Sequence, residues 1–151
     1  MKIREARLKD IKRINEISLE GIFQENSFQY TGNKKKVKEE ADYEFKKHKR
    51  TIKRGIQDKK QYWIVAEEKG IVVGFGSAYI KKDKGVTESV YIDKEFQRRG
   101  YGAKILNHLV KWLKSKNLKH IDSYLLTKNF PSLKLHKKIG FKPHVLRMKL
   151  K

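Results

Sequence analysis

The chain has 151 residues, 38 Lys and Arg against 17 Asp and Glu, and a formal charge of +21 with its histidines neutral. Cysteine is absent, which excludes disulfides, thiolate metal sites and a cysteine nucleophile together. No apolar run approaches the ~18 residues of a membrane-spanning helix, and Met1-Lys2-Ile3-Arg4-Glu5 lacks the apolar core of a signal peptide, so a cytoplasmic protein is expected.

The elements can be taken in chain order. Residues 2–7 alternate as a short strand, and Asp10 is placed to cap a helix whose apolar stripe is Ile11, Ile14, Ile17, Leu19 and Ile22. Residues 24–35 are polar and read as an irregular loop carrying Phe28 and Tyr30. A charged helix over 36–57 follows, with Val37, Ala41, Phe45, Ile52 and Ile56 as its thin stripe. Its run Lys46-Lys47-His48-Lys49-Arg50 is the densest basic cluster, expected as a solvated face more than a binding patch. Gln61–Glu67 is a strand by its β-branched and aromatic content. Lys69-Gly70 turns it into Ile71–Ile80, and Lys82–Gly85 turns again into a strand over 86–92, so three strands form an antiparallel meander. A helical run with Ile105, Leu106, Leu109, Val110 and Leu113 comes next. A strand over Leu118–Leu126 follows, then a helix begun near Pro131 and ended by Gly140. A last strand runs from Phe141 to Leu150, interrupted near Pro143. The order β-α-α-β-β-β-α-β-α-β predicts one α+β domain over 1–151, a mixed sheet with helices on its faces.

Between the 86–92 strand and its helix lies Gln97-Arg98-Arg99-Gly100-Tyr101-Gly102-Ala103. The first N–H groups of a helix lack intrahelical partners and carry partial positive charge. Glycines there admit close approach, and arginines add charge and forked donors. The construction suits a phosphate or pyrophosphate, while the same glycine pair also serves a plain turn.

Two motifs in this order resemble the GNAT superfamily of acetyl-CoA-dependent N-acetyltransferases. One is the Gln/Arg-x-x-Gly-x-Gly/Ala loop, met as Gln97-Arg98-Arg99-Gly100-Tyr101-Gly102. The other is Asn129-x-x-Ser132-x-x-x-His136-x-x-x-Gly140-Phe141, where histidine stands in place of the usual tyrosine. The resemblance covers nearly the whole chain. It implies that the 86–92 strand splays from its neighbour after a bulge, so that Val90, Tyr91 and Ile92 pair with the pantetheine amides of acetyl-CoA. It implies further that the N–H groups of Arg98 to Ala103 hold the pyrophosphate and that Asn129 bonds the pantetheine arm. No metal is implied. Acyl transfer would be direct from thioester to amine, so no cysteine is needed.

The chemistry requires a neutral attacking amine, a donor for the thioester oxygen and a proton or donor for the departing sulfur. Glu88 is the carboxylate in the middle of the 86–92 strand, on the face of Val90 and Ile92 by two-residue alternation. It is the candidate base, two residues beyond the family's glutamate position, and equally a partner for nearby lysines. The Ile92 backbone is placed as the oxygen donor. His136, with an ordinary pKa near ~6.5, is the candidate acid, and Tyr124 the substitute. The acceptor is expected to be a primary amine: a protein N-terminus, a lysine, a polyamine or an antibiotic. The rival from another class is a basic nucleic-acid-binding protein with the acyltransferase fold idle, although nothing resembles a known nucleic-acid-binding motif. A homodimer is compatible with the sequence.

Overall fold

The computed structural model describes residues 1–150. Five strands form one mixed sheet in the order β1 (Lys2–Glu5), β2 (Gln61–Glu68), β3 (Ile71–Lys81), β4 (Lys84–Ile92) and β5 (His120–Ser123). The first four are antiparallel neighbours and β5 lies parallel to β4. Helices α1 (Ile11–Gln29) and α2 (Lys34–Gln57) cover one face, α3 (Tyr101–Lys114) the other, and α4 (Phe130–Ile139) follows β5. This is the α+β arrangement that the order of elements predicts.

The two faces follow from the pleat. Ile64 and Ala66 point to α3 and join Val73, Ala78, Ile105, Leu109 and Leu113 in one core. Trp63, Val65 and Phe75 point the other way, onto Ile14, Ile17 and Ile52 of α1 and α2. Alternating residues of β2 thus bury both faces, which a sheet covered on both sides requires. Within the second core His48 is half-buried against Trp63 and Phe75, with Ser18 Oγ 2.8 Å from its Nε2. Desolvation lowers its pKa to about 4. The histidine of the basic cluster therefore turns inward, while Lys46, Lys47, Lys49 and Arg50 stay exposed.

Four expectations are corrected. The stretch 24–35 is no irregular loop: α1 continues to Gln29, and only Tyr30 to Asn33 connect it to α2. Its polar residues are tolerated because Asn26 and Ser27 donate to the carbonyls of Ile22 and Phe23 four residues back. Asp10 does not cap α1; its carboxylate accepts from the Arg7 N–H and from Arg4, which also reaches Glu67. That ion cluster holds β1, β2 and the start of α1 together. The strand expected over Leu118–Leu126 shrinks to His120–Ser123. Residues 141–150 form no strand. Pro143 removes a ladder donor, and Val145, Leu146 and Met148 remain exposed.

Candidate active site

β4 departs from both of its neighbours at one point. Against β3, Ser89 faces Ser77 and Thr87 faces Ala78, so Glu88 is an extra residue, a β-bulge. Against β5, pairing ends at Thr87 with Ser123. Beyond the bulge β4 therefore has a free edge. Asp93 donates its N–H to the Val73 carbonyl at 2.9 Å. By strand alternation the N–H and C=O groups of Val90 and Ile92 then turn away from β3, toward the opening. The Ile92 carbonyl already accepts from Gln97 Nε2 at 3.0 Å; its N–H and both groups of Val90 remain for a ligand.

The loop after β4 ends at the N-terminus of α3. Gly100 is the N-cap residue at φ 84°, and no side chain caps the helix. A left-handed backbone costs a residue with a Cβ ~1–2 kcal/mol, and glycine avoids it. The leading N–H groups of α3 are left open to an anion. The two arginines part here. Arg98 lines the cleft. Arg99 donates to the Glu95 carbonyl and lies 4.9 Å over the Phe96 ring. Tyr101 sends its hydroxyl to Glu68 and its ring into the core, so only its backbone serves the loop. Ala103 follows in the first turn.

The cleft itself holds about 280 Å³. Val90, Tyr91, Ile92, Gln97, Arg98, Gly102 and Asn129 all line it, which brings most of the expected binding residues into one place. Asn129 is buried as the N-cap of α4, its Oδ1 accepting from the Ser132 N–H at 3.3 Å, and the residue lines the cleft.

Two residues that the sequence reading passes over, Gln24 and Glu25, stand on the opposite wall with Phe28, which that reading places in a loop; all three belong to α1. Gly21 lets α1 come this close, since a Cβ there would lie 2.2 Å from Tyr91 Cδ1. Tyr91 donates its hydroxyl to Glu25 at 3.0 Å. Desolvation raises the Glu25 carboxyl to about 7, with Glu44 of α2 pushing the same way and the Tyr91 hydrogen bond opposing. A signal for Glu25 existed: Ile14, Ser18, Gly21, Glu25 and Phe28 continue the inward stripe of α1 at steps of four and three. A carboxylate on that stripe has to be buried.

The three catalytic candidates from the sequence do not gather in this cleft. The bulge breaks the alternation, so Glu88 does not share a face with Val90 and Ile92. They pack toward α3, whereas Glu88 feels Lys47 of α2 and the Ser77 hydroxyl. Its carboxyl is raised, by desolvation first, and the exposure of the residue as a whole keeps that shift modest. His136 is 5% exposed and held at both nitrogens. Its Nδ1 donates to the Ser132 carbonyl at 2.8 Å, and Nε2 accepts from Ser123 Oγ at 2.9 Å. Desolvation lowers its pKa, so it is a neutral packed imidazole. Tyr124 is 69% exposed with its hydroxyl on Lys84 Nζ. Both line a separate cavity beside 141–146.

The profile of the Acetyltransferase (GNAT) family matches residues 19–141. Phosphinothricin N-acetyltransferase of Streptomyces viridochromogenes is 32% identical over 84 residues, covering 52% of this chain and 46% of that protein. The chain thus matches less than half the length of this curated relative. Among solved structures, the PaiA N-acetyltransferase of Thermoplasma acidophilum in complex with coenzyme A superposes with a TM-score of 0.77 at 19% identity, over 93% of this chain and 89% of that one. An aminoglycoside antibiotic 6'-N-acetyltransferase of Acinetobacter haemolyticus gives 0.71 at 15% identity, over 100% and 99%.

Proposed function

Because this chain belongs to the acetyltransferase (GNAT) family, we propose that it transfers the acetyl group of acetyl-CoA to a primary amine. The observation that carries this reading is the meeting of three features in one cleft: the free edge of β4, the uncapped N-terminus of α3 and the Glu25 carboxyl. Val90 and Ile92 would hold the pantetheine arm through backbone bonds, with Asn129 donating from the other side. The N–H groups that follow Gly100, with Arg98, would hold the pyrophosphate. Bound acetyl-CoA supplies an acetyl group activated as a thioester.

Glu25 would take the proton that the acceptor nitrogen must lose, since a carboxyl near 7 is balanced between accepting and releasing it at neutral pH. Tyr91 keeps that carboxylate oriented through its hydroxyl. The Ile92 N–H would face the thioester oxygen as charge builds on it. As the C–N bond forms and the C–S bond breaks, the electron pair leaves with sulfur. Neither His136 nor Tyr124 lines the cleft, so the sulfur would leave as a thiolate. Glu25 replaces Glu88 as the candidate base because it lines the cleft, and Glu88 does not. The nucleic-acid reading rests on net charge alone, and Lys46, Lys49 and Arg50 lie outside the cleft.

The test is calorimetry of CoA and acetyl-CoA with the native chain, followed by mass spectrometry of acetyl transfer to a protein N-terminus, a lysine peptide, a polyamine and an aminoglycoside. Binding should raise the melting temperature, by about 2.7 kcal/mol of stability at 100 times Kd. No heat of binding with either nucleotide would sink the reading.

A further inference from the structure

The end of α1 bridges the cleft, and it is fastened at two points by glutamine side chains. At one point Gln97 Nε2 donates to Gln24 Oε1 at 3.1 Å and also to the Ile92 carbonyl at 3.0 Å. Gln24 Nε2 returns to Gln97 Oε1 at 3.5 Å, so the two amides face each other. At the other point Gln29 Oε1 accepts from the Lys128 N–H at 3.1 Å, with the Thr127 hydroxyl at 3.5 Å. Past Asn26 no residue of α1 is buried, so packing alone does not pin the last turn of the helix.

The anchors of these two clasps give them meaning. Gln97 immediately precedes Arg98 and the loop that leads to the open N-terminus of α3. Lys128 immediately precedes Asn129, the N-cap of α4. The end of α1 is thus tied to both segments that would hold acetyl-CoA. Between the clasps lie Glu25 and Phe28, which line the cleft, and Glu25 has its own tie to the Tyr91 hydroxyl at 3.0 Å. Two surface glutamines can satisfy each other anywhere. Here both clasps cross from α1 to a loop beside the cleft, one on each side of Glu25.

We infer that Gln24 and Gln29 are positioning residues, which hold the Glu25 carboxyl at the cleft and couple it to occupation of the cofactor segments. The inference rests on the acetyltransferase reading and adds two residues that act through Glu25. When CoA orders the loop after Gln97 and the turn at Asn129, the clasps carry that order into α1. Either clasp alone still holds one side of the bridge, and loss of both releases it.

The first measurement needs no acceptor. Amide hydrogen exchange over residues 22–30 is followed with and without CoA, in the native chain and in a variant carrying both Gln24→Met and Gln29→Met. Methionine keeps the length and helix propensity of glutamine but has no amide, so the variant should stay folded by circular dichroism. CoA should slow exchange over 22–30 in the native chain and leave it unchanged in the variant. The Kd for CoA should stay within about threefold, less than the net worth of a typical hydrogen bond, because Gln97 keeps its bond to the Ile92 carbonyl. In turnover of an acetylated amine, each single substitution should lower kcat about two- to tenfold, the worth of one hydrogen bond. The double variant should lose more than the product of the two. Ser27→Ala, which removes a bond inside α1 to the Phe23 carbonyl, should keep the native kcat. Exchange that CoA does not slow in the native chain, or slows equally in the double variant, overturns the inference. So does a native kcat in the double variant, or a loss in Ser27→Ala as large as in Gln24→Met, which would make helix stability the cause. CoA binding without these effects defeats only this inference, whereas failure to bind CoA defeats the acetyltransferase reading beneath it.

Discussion

The two walls of the cleft are built on opposite plans. On the α3 wall the ligand-facing groups are mostly backbone, contributed by near-consecutive residues: the free edge of Val90 and Ile92, then the loop from Gln97 through Gly102. On the α1 wall they are side chains, Gln24, Glu25 and Phe28 of α1 with Tyr91 of β4, brought together from two elements far apart in sequence. The first wall is uncapped and flanked by Arg98 and suits an anion. The second carries the Glu25 carboxyl and suits an amine that gives up a proton. One cleft with opposite polarity on its two sides can hold a nucleotide and an amine at once, and each wall should fail in its own way.

The largest effect should come from Glu25→Gln, which keeps the shape and removes the base. Turnover should fall about 10²–10⁴-fold, with the Kd for CoA unchanged in calorimetry. On the proposed reading the base works ionised. The rate should therefore rise with pH up to about 7, where the raised Glu25 carboxyl loses its proton, and that limb should vanish in the variant. Loss of CoA affinity along with turnover would merge the two walls into one.

The reverse break is Gly102→Val. A Cβ there would stand 3.3 Å from Leu135 Cδ2 and 4.0 Å from Val90 Cγ1, and a branched side chain would fill the floor of the cleft. CoA affinity should drop about 10–100-fold, the measure of ~1–3 kcal/mol of overpacking. The circular dichroism spectrum should stay native, because Gly102 is only half-buried. An unfolded variant would show that the glycine serves packing and not the ligand.

A smaller effect separates the two arginines, which the sequence treats as equals. Arg98→Ala should weaken CoA about tenfold, roughly one charge-assisted contact. Arg99→Ala should change it by no more than about twofold, since its guanidinium is engaged with Glu95 and Phe96 and exposed charges contribute little. Binding isotherms showing equal losses would mean that the field of the whole protein, and not the loop, attracts the nucleotide.

The same contrast explains what could be read from the sequence. The strand order and the loop from Gln97 to Gly102 were legible because hydrophobic periodicity and glycine punctuation are local signals. The resemblance implies a bulge in the 86–92 strand but not its position, and at Glu88 it reverses the face of that side chain. Glu25 was hidden in a stretch read as a loop, where packing of the buried face at Gly21, Ile22 and Asn26 holds in the helix residues that propensity alone does not favour. His136 is the opposite case. Its motif position suggested chemistry, but Ser123 and Ser132 occupy both ring nitrogens. Motifs mark where the chain passes, and burial and hydrogen bonding decide what a side chain there can do.

The smallest predicted effect uses stability to read the acidic wall without any substrate. Glu25 is raised from 4.5 to about 7, so the folded state binds its proton more tightly than the unfolded chain does. Its contribution is fully present below 4.5 and is lost as pH climbs toward 7. His48, lowered from 6.5 to about 4, behaves oppositely: its contribution is complete above 6.5 and is lost as pH falls toward 4. Between pH 4.5 and 6.5 the two slopes oppose and should largely cancel, each amounting to on the order of 1 kcal/mol once partial exposure is allowed for. Measured against the native curve, the melting temperature of Glu25→Gln should therefore climb with pH across that window, and that of His48→Gln should fall. Taking differences from the native protein removes the remaining carboxylates, Glu44 and Glu88 included, from the comparison to first order. Three parallel curves would mean that Glu25 titrates as an ordinary surface carboxyl, and the proton-accepting wall would lose its physical basis.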